Sequence, residues 1–368
     1  RRTARPSQGD ALGVGGGAVG EESTWEWKGY SINHAIFSSS RESESSSESS
    51  GESSLGSVIL VHGFGASIGH WKRNIPALVD AGFTVFALDL IGFGGSQKPR
   101  PEDRSTSTSS SSRLYTMEAW RDLIRDYANE VVLAQEGAAG NRRLALMGNS
   151  IGSLASVMAA AGPPSGLDLD ALVLVNCAGG MNVLATLRDD WRIALFSPVL
   201  LSVNFALRAS DAFSTWLFEK FRSKENIEST LRSVYSNQDN VDDDLVEMIY
   251  KPATEPGAKE AFVDMITGPP GPRPESFFDA DWNGPSRQDG PAGVNDLVSE
   301  DVPLLLVWGE DDPFAPLDGI VGKFFQDLPK RRKRTRLEVM RDAKHCPHDD
   351  RPDKFNEIVV PWLVEQMV

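Results

Sequence analysis

The chain has little cysteine, little histidine and no long apolar run, and each shortage narrows what it can be. Two cysteines in 368 residues, Cys177 and Cys346, make no disulfide framework, so a reducing, intracellular and soluble setting is the expectation. The longest apolar window, residues 193–207, is interrupted by Pro198 and Asn204 and falls short of the ~20 residues a membrane-spanning helix needs. Basic residues are outnumbered, 37 Lys and Arg against 52 Asp and Glu, and the resulting charge of −15 disfavours nucleic acid as a partner. The one basic cluster, Lys330 to Arg334, runs into a strand-like segment and reads as a solvated loop. Five histidines without clustered Cys/His spacing make no convincing metal set, and no glycine loop has phosphate-cradle spacing, so no metal and no cofactor are expected. The first residues, Arg1-Arg2-Thr3, lack Met and read as a processed or truncated start with the targeting segment removed.

Short unbroken aliphatic runs are what the chain does have. Residues 58–61, 85–88, 144–147, 172–175 and 304–307 read as strands covered on both faces, with helical spacing between the first four, which predicts a mostly parallel α/β sheet with helices on both faces. Residues 1–22 lack periodicity and are expected to be disordered, as is the Ser/Glu tract 38–57. Trp25–Tyr30 and Ser31–Phe37 alternate as two antiparallel strands, with the Ser/Glu tract as an enlarged hairpin loop before the next strand and His34 as a half-buried strand residue. A second loop expansion covers residues 105–112. The core is therefore read as residues 23–179 and 303–368. The interval 180–302 is far too long for a crossover and predicts an inserted helical cap with a Gly/Pro-rich return. Its large apolar residues, Trp191, Phe196, Phe205, Phe213, Trp216, Leu217 and Phe221, read as packing between cap and core. Collectively they predict an apolar pocket, with contact between cap and a membrane surface as a further expectation.

The chemistry centres on Gly148-Asn149-Ser150-Ile151-Gly152, which stands between the apolar run Leu144–Met147 and a small-residue helical stretch, residues 154–160. Gly-x-Ser-x-Gly in a strand–turn–helix setting sets a serine hydroxyl clear of a turn too tight for Cβ atoms at its neighbours. Ser150 is the candidate nucleophile, and it needs a base to take its proton and an acid to hold that base. His345 and His348 both follow the last strand-like segment; His345 is preferred because it comes sooner, while His348, past Pro347, reads as a supporting or surface histidine. The run Gly309-Glu310-Asp311-Asp312-Pro313 offers three carboxylates, of which Asp312 is preferred because Pro313 fixes the turn. Asp311 stays open as a competitor, and Glu310 reads as a solvent-facing or structural contact. Oxyanion donors are expected from the backbone N–H groups of Ile151 and Phe64, with His62 bracing the Phe64 turn by hydrogen bonding. The glycines of Asp89–Ser96 read as turn formers.

These motifs, in this order, resemble the serine branch of the α/β-hydrolase superfamily from about Trp25 to Val368. The resemblance implies an eight-stranded sheet and, from His70–Pro76, Tyr115–Trp120 and Glu255–Ala258, a plastid-type hydrolase of a plant or alga, similar to pheophytinase-like and chlorophyll-dephytylase-like proteins. Ser150 excludes the branches that use aspartate as nucleophile. The chain departs from the common Gly-Gly ending, since Ser153 follows Gly152 and its hydroxyl adds bulk at the helix start. The expected activity is hydrolysis of an ester with an apolar acyl or alcohol part, a phytyl-type ester by analogy. A carbon–carbon bond hydrolase with the same triad and a ligand receptor with a slow triad are the rival readings; oligomeric state is left open.

Overall fold

A strand without a polar face has to be covered above and below, and the chain meets that demand by setting its aliphatic runs side by side. The computed structural model describes residues 11–13, 18–39, 54–103, 113–135, 143–162, 166–186, 197–279 and 297–368. Nine strands are described: β1 (Ala11–Gly13), β2 (Ala18–Trp27), β3 (Tyr30–Ser39), β4 (Gly56–Val61), β5 (Phe83–Leu88), β6 (Leu144–Asn149), β7 (Ala171–Val175), β8 (Leu304–Gly309) and β9 (Thr335–Met340). They form one sheet in the order β1-β2-β3-β5-β4-β6-β7-β8-β9. From β5 to β9 all pairings are parallel, while β1, β2, β3 and β5 pair antiparallel. Every residue of β4, β6, β7 and β8 is buried.

This architecture is the expected α/β-hydrolase fold, with three differences of detail. Strand pairing reaches into residues 11–13 and 18–22, which were read as disordered, because the backbone of β2 pairs with β3 along its whole length. The short β1 adds a ninth strand to the eight implied. The connection from β3 to β4 is not a hairpin: β3 pairs with β5, and β4 lies one place further in, where its all-aliphatic sequence has a neighbour on each edge. The residues that join them, 40–53, lie outside the described residues, as do 104–112 of the second loop expansion.

The helices are α1 (Ile75–Asp80), α2 (Met117–Tyr127), α3 (Ile151–Ala160), α4 (Ser197–Ala209), α5 (Asp211–Phe221), α6 (Lys224–Val234), α7 (Asp243–Ala253), α8 (Ala258–Thr267), α9 (Ile320–Arg331) and α10 (Pro352–Met367). Alternate residues of the strands face opposite layers. Ile59, Val61, Leu146, Leu172 and Leu306 join α2, α3 and α9 in one core cluster. Val58, Leu60, Met147, Val173 and Leu305 join α1 and α10 in the other. Helices α4 to α8 occupy the interval between β7 and β8, as the inserted-cap expectation requires. Of the Gly/Pro-rich return, residues 280–296 lie outside the described residues; the chain re-enters the first cluster at Val298 and Val302. The basic cluster is not a free loop. Lys330 and Arg331 end α9, and the buried Arg332 donates to the carbonyls of Ser299 and Val302.

Two histidines sit in this framework without charge. His34, on β3, lies between Ser23 and Tyr127, and His70 bonds Tyr235; burial pushes both down from 6.5 to about 4. An imidazole kept neutral by the fold titrates freely once unfolded. Stability is therefore complete above about pH 6.5 and is lost as pH falls toward about 4. Thermal unfolding followed at about pH 7 and about pH 5 is expected to give a clearly lower Tm at the acid value; a Tm flat across that interval would refute the assignment.

Candidate active site

The site is built from the carboxyl ends of β4, β6, β7, β8 and β9. Ser150 occupies the turn between β6 and α3 with φ 56° and ψ −119°, a conformation a non-glycine residue adopts only when its surroundings hold it there. Its flanking glycines are required by close approach. A Cβ on Gly148 would lie 2.4 Å from the Gly152 carbonyl oxygen, and one on Gly152 would lie 2.4 Å from that of His62. The hydroxyl of Ser153 is turned into the sheet: it donates to Gly148 O at 2.6 Å and accepts from Val175 N at 3.0 Å. Its bulk thus ties α3 to β6 and β7.

The structure brings Ser150, His345 and Asp312 into one line. Ser150 Oγ lies 2.9 Å from His345 Nε2, and His345 Nδ1 lies 2.8 Å from Asp312 Oδ2. Because a carboxylate only accepts, Nδ1 carries the proton and Nε2 is free to accept from the serine. Asp312 is buried, which by itself raises its pKa, yet the bonds from His345, Ala315 N and Asn176 outweigh this and hold it below the usual carboxylate range. Its other oxygen accepts from Phe314 N at 2.8 Å and Ala315 N at 3.0 Å. Asp311 and Glu310 are exposed, which removes Asp311 as competitor. His348 is neither at the site nor at the surface. It is fully buried between Trp71 and His70, with no hydrogen-bond partner on either ring nitrogen among the described residues.

Ile151 opens α3, so its N–H has no acceptor within its own helix. Phe64 lies on the turn after β4, beside the same cavity as Ser150 and Ile151. His62 braces that turn, donating from Nδ1 to Gly63 O at 2.7 Å and accepting from Leu90 N at 3.0 Å. Asp89 organises the next loop by accepting from Ile68 N and Gly95 N, both at 2.7 Å, and the positive φ of Gly92 and Gly94 fits the turn-forming reading of that segment.

Residues 58–358 match the alpha/beta hydrolase family. The chain belongs to that family. Among its relatives, an uncharacterized hydrolase of Bacillus subtilis, YugF, is 23% identical over 307 residues, 83% of this chain and 89% of the relative. The chloroplastic pheophytinase of Arabidopsis thaliana is 21% identical over 327 residues, 83% of this chain, which spans 60% of that relative's length. A meta-cleavage product hydrolase from Pseudomonas fluorescens shares the fold, with a TM-score of 0.56 at 20% identity over 93% of this chain and 97% of that one.

In this family member the inserted helices roof a cavity of about 1010 Å³ that holds Ser150 and His345. Leu200, Val203 and Leu207 of α4, Leu217 and Phe221 of α5, and Phe262 of α8 line it. The apolar pocket is present, but the expected packing role of the aromatics is not general. Phe205, Trp216 and Phe221 are exposed, and Trp191 and Phe196 lie outside the described residues. Among the described residues no helix is long and apolar enough to cross a membrane.

Sequence reasoning missed two groups of residues. Asn176, at φ 45° directly after β7, donates to Asp312 and accepts from Gly309 N, fixing the acid loop; its place beside β8 was the available signal. The second group ties the insertion to the histidine loop. His345 N donates to Val234 O at the end of α6, and Asp350 accepts from Ser236 N, Asn237 N and Lys344 N at 2.9, 2.7 and 3.1 Å. Tyr235 bridges His70 and Asp349, each at 2.8 Å, and Cys346 is buried beneath Ile227, Leu231 and Val234 of α6. Asp350→Asn leaves a backbone N–H facing an amide, and His345 loses its hold. We expect kcat to fall about tenfold with KM little changed, as a small misplacement of a reacting group does. Steady-state kinetics on a soluble ester check this, and unchanged kcat in the folded variant would refute it.

Proposed function

We infer that this chain is a serine hydrolase that cleaves a carboxylic ester with an apolar acyl or alcohol part through an acyl-enzyme. One observation carries the reading: a hydrogen-bonded Ser150–His345–Asp312 line opening into an apolar cavity of about 1010 Å³. Ser150 attacks the ester carbonyl while His345 Nε2 takes its proton, and Asp312 keeps the imidazole in the required tautomer and steadies the imidazolium. The oxyanion of the tetrahedral intermediate is met by the N–H groups of Ile151 and Phe64, the former reinforced by the N-terminus of α3. His345 then returns the proton to the departing alcohol, and water resolves the acyl-enzyme by the same base.

The cavity lining favours an uncharged substrate. Among the described residues it contains neither Lys nor Arg, so an anionic arm would lose its hydration without gaining a counter-charge from them. Carbon–carbon cleavage remains the second reading, favoured by the fold shared with the meta-cleavage product hydrolase. Plastid location and a phytyl-type ester belong to the same proposal, supported by the similarity to a chloroplastic pheophytinase.

A fluorophosphonate probe is expected to label Ser150 in the folded protein, and Ser150→Ala to lose both the label and ester turnover by about 10⁴-fold or more. Long-chain p-nitrophenyl esters are expected to outperform acetate. Absence of an adduct on folded protein would sink the catalytic reading, and turnover of a vinylogous diketone with none of the esters would move it to carbon–carbon cleavage.

A further inference from the structure

Exposed apolar surface is concentrated in one region of this molecule. Among the described residues eleven large apolar side chains are exposed, and all but Val339 and Val368 belong either to the cavity or to α4 and α5 above it. Phe221 at 53% and Phe314 at 62% exposure line the cavity and so mark where it opens. Val199, Leu201 and Phe205 of α4 and Trp216 of α5 do not line it, and they are 61%, 57%, 73% and 56% exposed. Val203, also exposed, joins the two sets: it lines the cavity and also a shallow depression on the outer side with Val199 and Phe213.

A helix that is apolar nearly all round is ordinarily buried. Helix α4 has one charged residue in thirteen, Arg208, and that guanidinium is turned aside onto Thr267. An apolar face continuous with an opening into an apolar cavity fits a surface from which an apolar molecule enters. The charge selects among such surfaces. At a net −15, with Arg208 engaged and Lys220 of α5 offset by its neighbour Glu219 and by Asp211, this face carries no net positive charge to attract an anionic partner.

We propose that the outer sides of α4 and α5 dock on a lipid surface of zwitterionic or uncharged lipid, and that the cavity opens onto that layer. What passes from the layer into the cavity rests on the ester reading above; the docking itself does not.

Flotation with vesicles tests it, using the full chain carrying Ser150→Ala so that no lipid is consumed. Phosphatidylcholine vesicles are expected to carry the protein up, and added phosphatidylserine to bring no gain. Phe205→Ser with Trp216→Ser is expected to cut the bound fraction about tenfold, whereas Val339→Ser with Val368→Ser leaves it unchanged. With Ser150 restored, the Phe205 and Trp216 pair of substitutions should spare turnover of a short soluble ester and depress that of a long-chain ester presented in vesicles. No flotation with phosphatidylcholine, flotation only with phosphatidylserine, or undiminished flotation of the double variant overturns the proposal. So does a dimer in solution that the double variant converts to monomer, since a second copy would then cover the face. Flotation as expected with no ester cleaved would leave the surface standing and remove the ester reading.

Discussion

The closeness of α3 to the end of β4 is the constraint on which the site depends. Gly152 lies against the carbonyls of Val61 and His62, at distances no side chain would allow. That one contact sets three things at once. It holds the first turn of α3 against the end of β4, sets Ile151 on the cavity that Phe64 also lines, and holds Ser150 in its positive-φ elbow. The Ser150 hydroxyl and the Ile151 N–H are thereby placed by backbone packing before any side-chain interaction is made, as the proposed reaction requires.

Around that elbow, buried aspartates do the work of arranging loops. Asp89 after β5, Asp312 after β8 and Asp350 after β9 each accept two or more backbone N–H groups from segments that have no strand or helix to pair with. A short acceptor with two oxygens can satisfy several orphan amides in one place, so these loops stay ordered without cations. The acidic balance of the chain and the absence of Lys and Arg from the described cavity lining are compatible for this reason: Asp89, Asp312 and Asp350 meet backbone amides. Asp312 is the one of the three that also hydrogen-bonds an imidazole.

The triad was legible because its members stand at strand ends in a fixed order, and strands this aliphatic announce themselves in sequence. Asp312 could be preferred over Asp311 from Pro313 and from its spacing to Gly309, and the structure exposes Asp311. Asn176 and Asp350 were harder to read, since Asn176's partners and two of the three amides that Asp350 accepts lie more than a hundred residues away, and only the place of Asn176 at the end of β7 hinted at its bond. Strand order had the same difficulty. The aliphatic content of β4 says that it is interior, but only β5 arriving between it and β3 shows how. The exposed aromatics of α4 and α5 were misjudged because an apolar side chain carries no signal of whether its neighbour is protein or an open face.

Cys346, the residue after His345, lies beneath α6, with its thiol pushed well above the usual range by burial and by the charges of Asp349, Asp312 and Asp350. In the closed molecule it is a poor nucleophile that no reagent reaches. Once α6 lifts from the histidine loop, the same thiol stands in water beside the base it follows. The protein thus carries its own reporter of one inserted helix: the rate at which Cys346 is alkylated measures how often α6 parts from the loop that holds His345.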